Sequence, residues 1–305
     1  MQFDVVIVGG GPAGLQAALT LGRARKRVLL CDAGPRRNAA AVHMHNFLTR
    51  DGTAPAELRA IARQQLATYS NVEFGSSAIT SITGARGAFQ VHTPEGVIGA
   101  RRILLCTGMV DEPPPIEGLR ELWGTSVVQC PYCHGWEVQD RRWGYLALPG
   151  AAAHLVPFTT MLRGWSRDVT LFTGAAVDLP AEGRATLAAA GVKLETAAIT
   201  RVLAQDGRLA AVELAGGRRV ACDVLFSHPP QRQVDVVRAL GLALDPEGFV
   251  RVEPLRPETS VPGIYAAGDL TTRGQAAILA AAAGMLAAAA LNTELTMQLA
   301  AEGHI

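Results

Sequence analysis

The first 32 residues carry the pattern that most constrains what this chain can fold into. An uninterrupted apolar run of strand length, residues 3–8, leads directly into the glycine-rich segment 9–14. An alanine- and leucine-rich helix follows to about Arg23, and a second apolar run, residues 27–31, ends in Asp32. This order predicts a dinucleotide-binding unit within a parallel sheet: a strand, a glycine turn, a helix, a second strand and a terminal acid.

The glycines of this turn have distinct roles in such a unit. Gly9 permits the tight turn, Gly11 lets a pyrophosphate approach the backbone, and Gly14 allows the helix to pack closely. Asp32 can accept hydrogen bonds from a ribose. A glycine turn without a ligand is the alternative, and the strands and the acid around the turn argue against it.

A second motif, Cys130-Pro131-Tyr132-Cys133-His134-Gly135, lies near the middle of the chain. Two thiols separated by two residues can close a small disulfide ring, and a basic neighbour can hold a proton or stabilise a thiolate. The same spacing is half of a zinc site. The sequence has no second Cys-x-x-Cys, and Cys31, Cys106 and Cys222 stand singly in strand-like runs. Two-electron redox exchange is therefore favoured, with zinc binding and inert core thiols as alternatives.

Length and composition exclude several classes of protein. The 305 residues can form two compact domains, and a net charge of +1 gives no argument for a nucleic-acid partner or an anionic membrane. Five cysteines are too few for a disulfide scaffold, and no secretory signal opens the sequence. The alanine-rich run 276–291 is too short to span a bilayer comfortably, so we expect a buried helix there and a cytoplasmic protein.

Proline-rich segments predict where one domain is inserted in another. A strand over 102–106 is closed by Thr107-Gly108, and Pro113-Pro114-Pro115 then stiffens the chain. His228-Pro229-Pro230 is the expected exit linker, and after Leu244 the pattern of the first domain returns. The predicted domains are a discontinuous one over 1–112 and 245–305 and an inserted one over 113–244. Further predicted elements are helices over 55–69 and 151–164 and after Gln275, and strands over 144–148, 169–172, 199–203, 209–214, 220–226, 248–252 and 263–267.

Two histidines in the loop 42–53, His43 and His45, flank a single residue. Such a pair on a strand could bind a metal, but no carboxylate cluster is near it in the sequence. We interpret both as loop histidines near a pocket and predict no metal site.

Four motifs in order make the chain resemble the low-molecular-weight thioredoxin reductase family over nearly its whole length. They are Gly9-x-Gly11-x-x-Gly14, Thr107-Gly108, the Cys-x-x-Cys pair, and Gly268-Asp269 followed by Gln275-Ala276. The resemblance implies an α/β fold of two Rossmann-like, three-layer domains, an FAD-binding one and an inserted NAD(P)-binding type. It also implies a homodimer.

The resemblance assigns residues to the FAD site. Asp269 would bind the ribitol or pyrophosphate region, and Gln275 with Ala276 would lie near the isoalloxazine. Asn46 and the backbone near Ile79 would also touch FAD. The full set is Gly9, Gly11, Pro12, Ala13, Gly14, Asp32, Asn46, Ile79, Thr107, Gly108, Gly268, Asp269, Gln275 and Ala276.

Two departures from the reductase pattern bear on the electron donor. The residue after the second cysteine is commonly an aspartate in the family and is His134 here. The inserted domain should carry Gly-x-Gly-x-x-Ala after its first strand and a basic cluster after the next strand, to hold NADPH. This chain has ALPGAAA over 147–153 and VTLFTGA over 169–175. Leucine replaces the first glycine and no arginine follows the strand, so NADP(H) is not an expected cofactor.

The sequence CPYCHGWE around the cysteine pair resembles that of thioredoxin-reductase-like dithiol oxidases, which close disulfides in gliotoxin, holomycin and romidepsin. The resemblance implies FAD-dependent oxidation of a small-molecule dithiol to an intramolecular disulfide through Cys130 and Cys133, with O2 or another acceptor reoxidising the flavin. His134 is the candidate base for the incoming thiol, and a surface histidine capping a turn is the alternative. Glu137 is the candidate to orient His134.

Two other functions stay open at this point. One is an NADPH- or ferredoxin-dependent reductase that passes electrons to a thioredoxin-like protein. The other is a non-enzymatic flavin protein whose cysteines sense redox state.

Overall fold

The computed structural model describes residues 2–34, 36–149, 152–174 and 177–304. They form two compact units. The first unit contains 1–39, 47–110 and 231–305, and the inserted unit contains 40–46 and 111–230. The helices are α1 (Pro12–Arg23), α2 (Pro55–Leu66), α3 (Pro131–His134), α4 (Ala152–Leu162), α5 (Ala181–Ala189), α6 (Asp235–Arg238) and α7 (Ala277–Ala301).

The strands of the described residues have two to ten residues each. They are β1 (Gln2–Val8), β2 (Val28–Cys31), β3 (Val72–Gly75), β4 (Ser81–Thr83), β5 (Phe89–Thr93), β6 (Gly96–Leu105), β7 (Val110–Asp111), β8 (Val127–Val128), β9 (Arg142–Leu146), β10 (Asp168–Phe172), β11 (Lys193–Glu195), β12 (Ile199–Gln205), β13 (Arg208–Leu214), β14 (Arg219–Ala221), β15 (Val224–Ser227), β16 (Gln231–Arg232) and β17 (Ile264–Ala266).

The first unit is built on a sheet of order β3-β2-β1-β6-β5-β4, with β17 also paired to β6. The strands β3, β2, β1, β6 and β17 run parallel, and β5 and β4 add an antiparallel hairpin. Parallel neighbours end at the same edge, where ligands of such sheets bind. The predicted Rossmann-like architecture is confirmed.

Alternating side chains of β1 divide the core of the first unit into two layers. Val5 and Ile7 pack with α1 and α7, while Val6 and Val8 pack on the opposite face. The contact between the two helices is close, since a Cβ on Gly284 would collide with the backbone of Ala13. These layers hold the start of α1 against the sheet.

The last helix, α7, differs from its prediction. It has 25 residues and is apolar enough to cross a membrane by composition, so the expectation of a short run was wrong. Its inner face is buried along Ala280, Ala287, Leu291 and Leu295, and its outer face is exposed. The helix continues beyond Leu291 because Leu295 and Leu299 keep its buried face at every fourth residue, and the polar residues between them lie on the other faces.

The inserted unit contains a parallel sheet of order β11-β10-β9-β15-β8 and a separate antiparallel sheet, β12-β13-β14. Val169 and Leu171 of β10 face α4 and α5, while Phe172 packs with side chains of the antiparallel sheet. This unit therefore has the second predicted three-layer arrangement.

Two predicted strands were wrong. The run 220–226 is divided between β14 and β15, because the Asp223 carboxylate accepts hydrogen bonds from Arg142 (N–Oδ2, 2.9 Å) and turns the chain. The run 248–252 makes a single bridge, Leu244 to Val250, and Phe249 and Val250 are buried beneath the sheet instead of joining it.

The unit boundaries differ from the predicted domain boundaries in two places. The chain rejoins the first unit at 231 and not at 245, since Val237 of α6 and Leu242 belong to the core of that unit. Residues 40–46 group with the inserted unit, although their neighbours on both sides belong to the first.

Candidate active site

The two cysteines of the central motif form a disulfide, with Cα atoms 5.2 Å apart. Cys130 is extended and precedes α3, Pro131 starts the helix without needing a hydrogen-bond donor, and Cys133 lies within its single turn. The backbone N–H of Cys133 donates to the Cys130 carbonyl (3.2 Å). Both cysteines are half-buried, so the disulfide is reachable by a small molecule.

His134 follows directly and ends α3. Its Nδ1 is buried and has no hydrogen-bond partner among the described residues. Burial lowers the pKa of His134, the Cys130 backbone and the Glu137 carboxylate oppose this, and the charge of His45 adds to it. The imidazole is therefore kept neutral at neutral pH, the form that accepts a proton. The role of His134 as the base stays a prediction.

Glu137 is paired with a residue that the sequence did not connect to it. Its Oε1 lies 3.4 Å from Nε2 of His45. Trp136 is 72% exposed beside it, whereas Trp143 is buried in the core. Orientation of His134 by Glu137 stays a prediction, since the contact observed for the Glu137 carboxylate is with His45.

The other three cysteines are buried and free. Burial raises the pKa of Cys31 to about 11, that of Cys222 to about 12 and that of Cys106 further still. These thiols stay protonated at neutral pH and are poor nucleophiles. Among the described residues no three His, Cys, Asp or Glu side chains cluster as a metal site would require.

The fingerprint glycines form the cradle that a dinucleotide needs. Gly9 has φ +110°, and a Cβ there would clash with the carbonyl of Cys106. A Cβ on Gly14 would clash with the carbonyl of Gly9, so both positions require glycine. A Cβ on Gly11 would have no atom within 4 Å, although this residue immediately precedes the helix. The open side of Gly11 at the start of α1 fits a pyrophosphate.

The strand ladders bring several predicted residues to this edge. Backbone N–H groups of Gly9, Cys106 and Ala267 donate to the strand-end carbonyls of Cys31, Val8 and Leu105 (2.8 to 2.9 Å). The residues that follow these strands are thereby neighbours at one end of the sheet. They include Gly11, Asp32, Thr107, Gly108, Gly268 and Asp269.

Asp32 lies at this edge and is already paired. Its Oδ2 is 2.9 Å from Arg36 and 3.8 Å from Arg63, and the side chain is 10% exposed. A Cβ on Gly10 would come 2.6 Å from the Asp32 side chain, so the carboxylate is fixed against the glycine turn. A ribose hydroxyl at this point would share the carboxylate with Arg36.

Arg37 joins two predicted residues and was missed by the sequence analysis. Its guanidinium donates to Asp269 (2.9 Å) and to the side-chain oxygen of Gln275 (2.5 Å). Gln275 also donates to the backbone carbonyl of Asp269 (3.2 Å). The signal in the sequence would have been the two adjacent arginines, 36 and 37, just after the Asp32 turn. Their positive charge is the charge that a pyrophosphate requires.

The remaining predicted residues are distributed unevenly. Pro12 and Ala13 open α1, Ala276 precedes α7, and Ile79 packs against the core of the first unit. Asn46 has a left-handed backbone (φ 61°) and groups with the inserted unit. The roles of all these residues toward FAD stay predictions.

The β9–α4 turn lacks the first glycine of a nucleotide fingerprint. Leu148 follows β9 and packs against the core of the inserted unit, and Pro149 comes next. Gly150 and Ala151, which complete the predicted turn, lie outside the described residues, as do Ala175 and the side chains of Ala152 and Ala153.

We expect Gly11→Val to fold normally and to lose affinity for FAD. The space beside Gly11 contains no protein atom, so valine costs the fold little, but its branches occupy the approach of a pyrophosphate. The expected loss is about tenfold or more, equivalent to ~1.4 kcal/mol. FAD titration of the apoprotein measures it, with thermal unfolding as the check on folding. Gly14→Val is the contrast, since it should destabilise the apoprotein itself; wild-type FAD affinity in Gly11→Val would refute the assignment.

Comparison with known proteins places the chain in a family. The model of the pyridine nucleotide-disulphide oxidoreductase family matches residues 3–284. The thioredoxin reductase tcpT of Claviceps purpurea is 33% identical over 87% of this chain and 86% of its own length. The structure of an oxidoreductase from Agrobacterium tumefaciens is 40% identical, with a TM-score of 0.91 over 97% of this chain and 99% of that one. The structure of HlmI is 36% identical, with a TM-score of 0.91 over 99% and 95%.

These matches span both units, and their names agree with the redox disulfide and the dinucleotide cradle described above. The family implies a bound flavin, for which the cradle of the first unit is suited. The chain therefore belongs to the pyridine nucleotide-disulphide oxidoreductase family, as a thioredoxin-reductase-like flavoenzyme that carries out thiol–disulfide exchange.

Proposed function

We propose that this enzyme oxidises a small-molecule dithiol to an intramolecular disulfide. The observation that carries the proposal is the Cys130–Cys133 disulfide followed directly by His134, an imidazole whose buried Nδ1 has no partner among the described residues. A base kept neutral beside a disulfide assists attack by a thiol, because the thiolate is the nucleophile.

The exchange has two steps at the protein. His134 takes the proton of one substrate thiol, and the thiolate attacks Cys130, forming a mixed disulfide and releasing Cys133. The second substrate thiol then attacks the substrate sulfur of the mixed disulfide and releases Cys130. One substrate disulfide is formed, the enzyme disulfide is broken, and two electrons and two protons have passed to the cysteine pair.

A bound FAD would supply the acceptor for these two electrons, with O2 or another acceptor reoxidising it. In the first unit Gly11 and the start of α1 would hold its pyrophosphate, Asp32 its ribose, and Asp269 with Gln275 the ribitol and ring region. Arg37 would add positive charge near the phosphates.

A reductase acting on a thioredoxin-like protein is the second candidate, because relatives such as tcpT carry the name thioredoxin reductase. That function requires a source of electrons such as NADPH, and Leu148 stands where its binding turn requires glycine. The dithiol oxidase is therefore preferred.

Turnover distinguishes the two candidates. The holoenzyme is incubated with a panel of small dithiols while O2 consumption and peroxide are followed, and in parallel with NADPH and an oxidised thioredoxin-like protein. Consumption of O2 with a small dithiol supports the oxidase. NADPH-dependent reduction of the protein substrate without dithiol oxidation would return the enzyme to the reductase class.

We also propose that the enzyme is a cytoplasmic homodimer. The outer face of α7 exposes large apolar side chains, and a second copy would cover them. These side chains are Ile278, Leu279, Met285, Leu286 and Met297. Sedimentation should give twice the chain mass of 32.1 kDa, and a double change of Met285 and Leu286 to glutamate should give monomers. A wild-type protein that sediments as a monomer at micromolar concentration would refute the dimer.

A further inference from the structure

The segment 40–46 belongs structurally to the redox unit. It groups with residues 111–230, although residues 39 and 47 on either side group with the first unit. A Cβ on Gly124 would lie 2.7 Å from that of Ala40, so the segment lies directly on the chain that leads to the cysteine pair. Met44 is buried at 8% exposure, which anchors the middle of the segment.

This segment delivers a histidine to the redox centre. Nε2 of His45 is 3.4 Å from Oε1 of Glu137, three residues after His134. The His45 side chain is 21% exposed and that of Glu137 is 40% exposed. The pair is therefore half-exposed, and its Glu137 is close in the chain to the buried Nδ1 of His134. The His43 ring lies edge-on to the His45 ring, with the ring centroids 6.2 Å apart.

Among the described residues, the charged side chains that act on His134 are Glu137 and His45, and the Cys130 carbonyl is the polar backbone group. The Glu137 carboxylate favours the protonated imidazole, while the positive charge of His45 disfavours it. Pairing the two charges with each other limits the effect of each on His134. A change in either partner exposes His134 to the full charge of the other.

We propose that His45, paired with Glu137, is a positioning residue that governs proton transfer at His134. The inference rests on the proposed function, in which His134 is the base for the incoming thiol. It gives residues 40–46 a part in the chemistry, because they carry the imidazole that contacts Glu137.

The test uses dithiothreitol as the probe and the holoenzyme throughout. Opening of the Cys130–Cys133 disulfide under anaerobic conditions is quenched with acid, and alkylated cysteines are counted by mass spectrometry between pH 5.5 and pH 9, values set by the ~6.5 pKa of a histidine. The variants are His45→Gln, His45→Lys, Glu137→Gln and His134→Gln. His43→Gln is the matched control, since it removes a histidine from the same segment and leaves both His45 and Glu137 in place.

The two halves of the pair should act in opposite directions. His45→Gln leaves Glu137 unbalanced, favours imidazolium and should slow the exchange about twofold to fivefold at pH 6, with recovery at pH 9. Glu137→Gln leaves His45 unbalanced and should speed the exchange at pH 6 by a similar factor. His45→Lys keeps a positive charge opposite Glu137 and should restore the wild-type pH profile, which a purely structural role of the imidazole would not allow.

The inference is overturned if His45→Gln and Glu137→Gln change the rate in the same direction, or by no more than His43→Gln does. Thermal unfolding identifies a variant that does not fold. If His45→Gln is such a variant, the separate variants His45→Lys and Glu137→Gln decide whether the pair acts on His134. If His134→Gln exchanges at the wild-type rate across the pH range, the base assignment in the proposed function fails. If His134→Gln is slow and the pair variants are silent, only the role of His45 fails.

Discussion

Replacing Cys133 with serine is expected to reduce dithiol oxidation by about three orders of magnitude or more, and Cys130→Ser should do the same. Each variant leaves a single thiol at α3, which can neither form the disulfide nor store two electrons. Initial rates of dithiol consumption by flavin-loaded protein measure the loss.

Cys222→Ala is the matched control for these variants. Cys222 lies in the same unit, and burial raises its pKa to about 12, so its thiol takes no part in exchange. The control should oxidise the dithiol at nearly the wild-type rate. Wild-type turnover in Cys133→Ser would show that the electrons follow another route.

The second large effect concerns NADPH, which we expect to reduce the bound flavin slowly or not at all, while a dithiol bleaches it rapidly without air. Leu148 places a branched side chain after β9, where the first fingerprint glycine belongs, and Pro149 removes a backbone donor. After β10 the chain continues through Thr173 and Gly174, without an arginine for the 2′-phosphate. Losing one such contact typically costs ~1.5–3 kcal/mol, or one to two orders of magnitude in affinity.

Stopped-flow absorbance with micromolar NADPH and, separately, with excess dithiol measures this difference. A related reductase that carries both fingerprints serves as the positive control for NADPH. Fast, stoichiometric reduction by micromolar NADPH would contradict our interpretation of the β9–α4 turn.

The parts of this protein that could be predicted from sequence are those fixed by neighbours in the chain. The β1–α1–β2 unit follows from an apolar run, three glycines with steric demands and a terminal acid, and each of these acts over a few residues. The redox pair was likewise evident from the spacing of Cys130 and Cys133, which the structure joins as a disulfide.

The parts that could not be predicted depend on contacts between distant residues. The pairing of His45 with Glu137 joins positions 92 residues apart, and nothing local to either of them signals it. The bridge from Arg37 to Asp269 spans 232 residues and was missed for the same reason. The break at Asp223 was hidden in a continuous strand-like run, because its cause, Arg142, lies on another strand.

The most direct test of the central claim is a single turnover without air. Enzyme with its Cys130–Cys133 disulfide intact is mixed with one equivalent of a small dithiol, quenched and analysed by mass spectrometry after alkylation. We predict that substrate disulfide appears at the same rate as its two electrons pass to the Cys130–Cys133 disulfide and the bound flavin, and that Cys133→Ser forms no substrate disulfide. A dithiol recovered fully reduced, with the Cys130–Cys133 disulfide still closed, for every member of a varied panel would contradict the account.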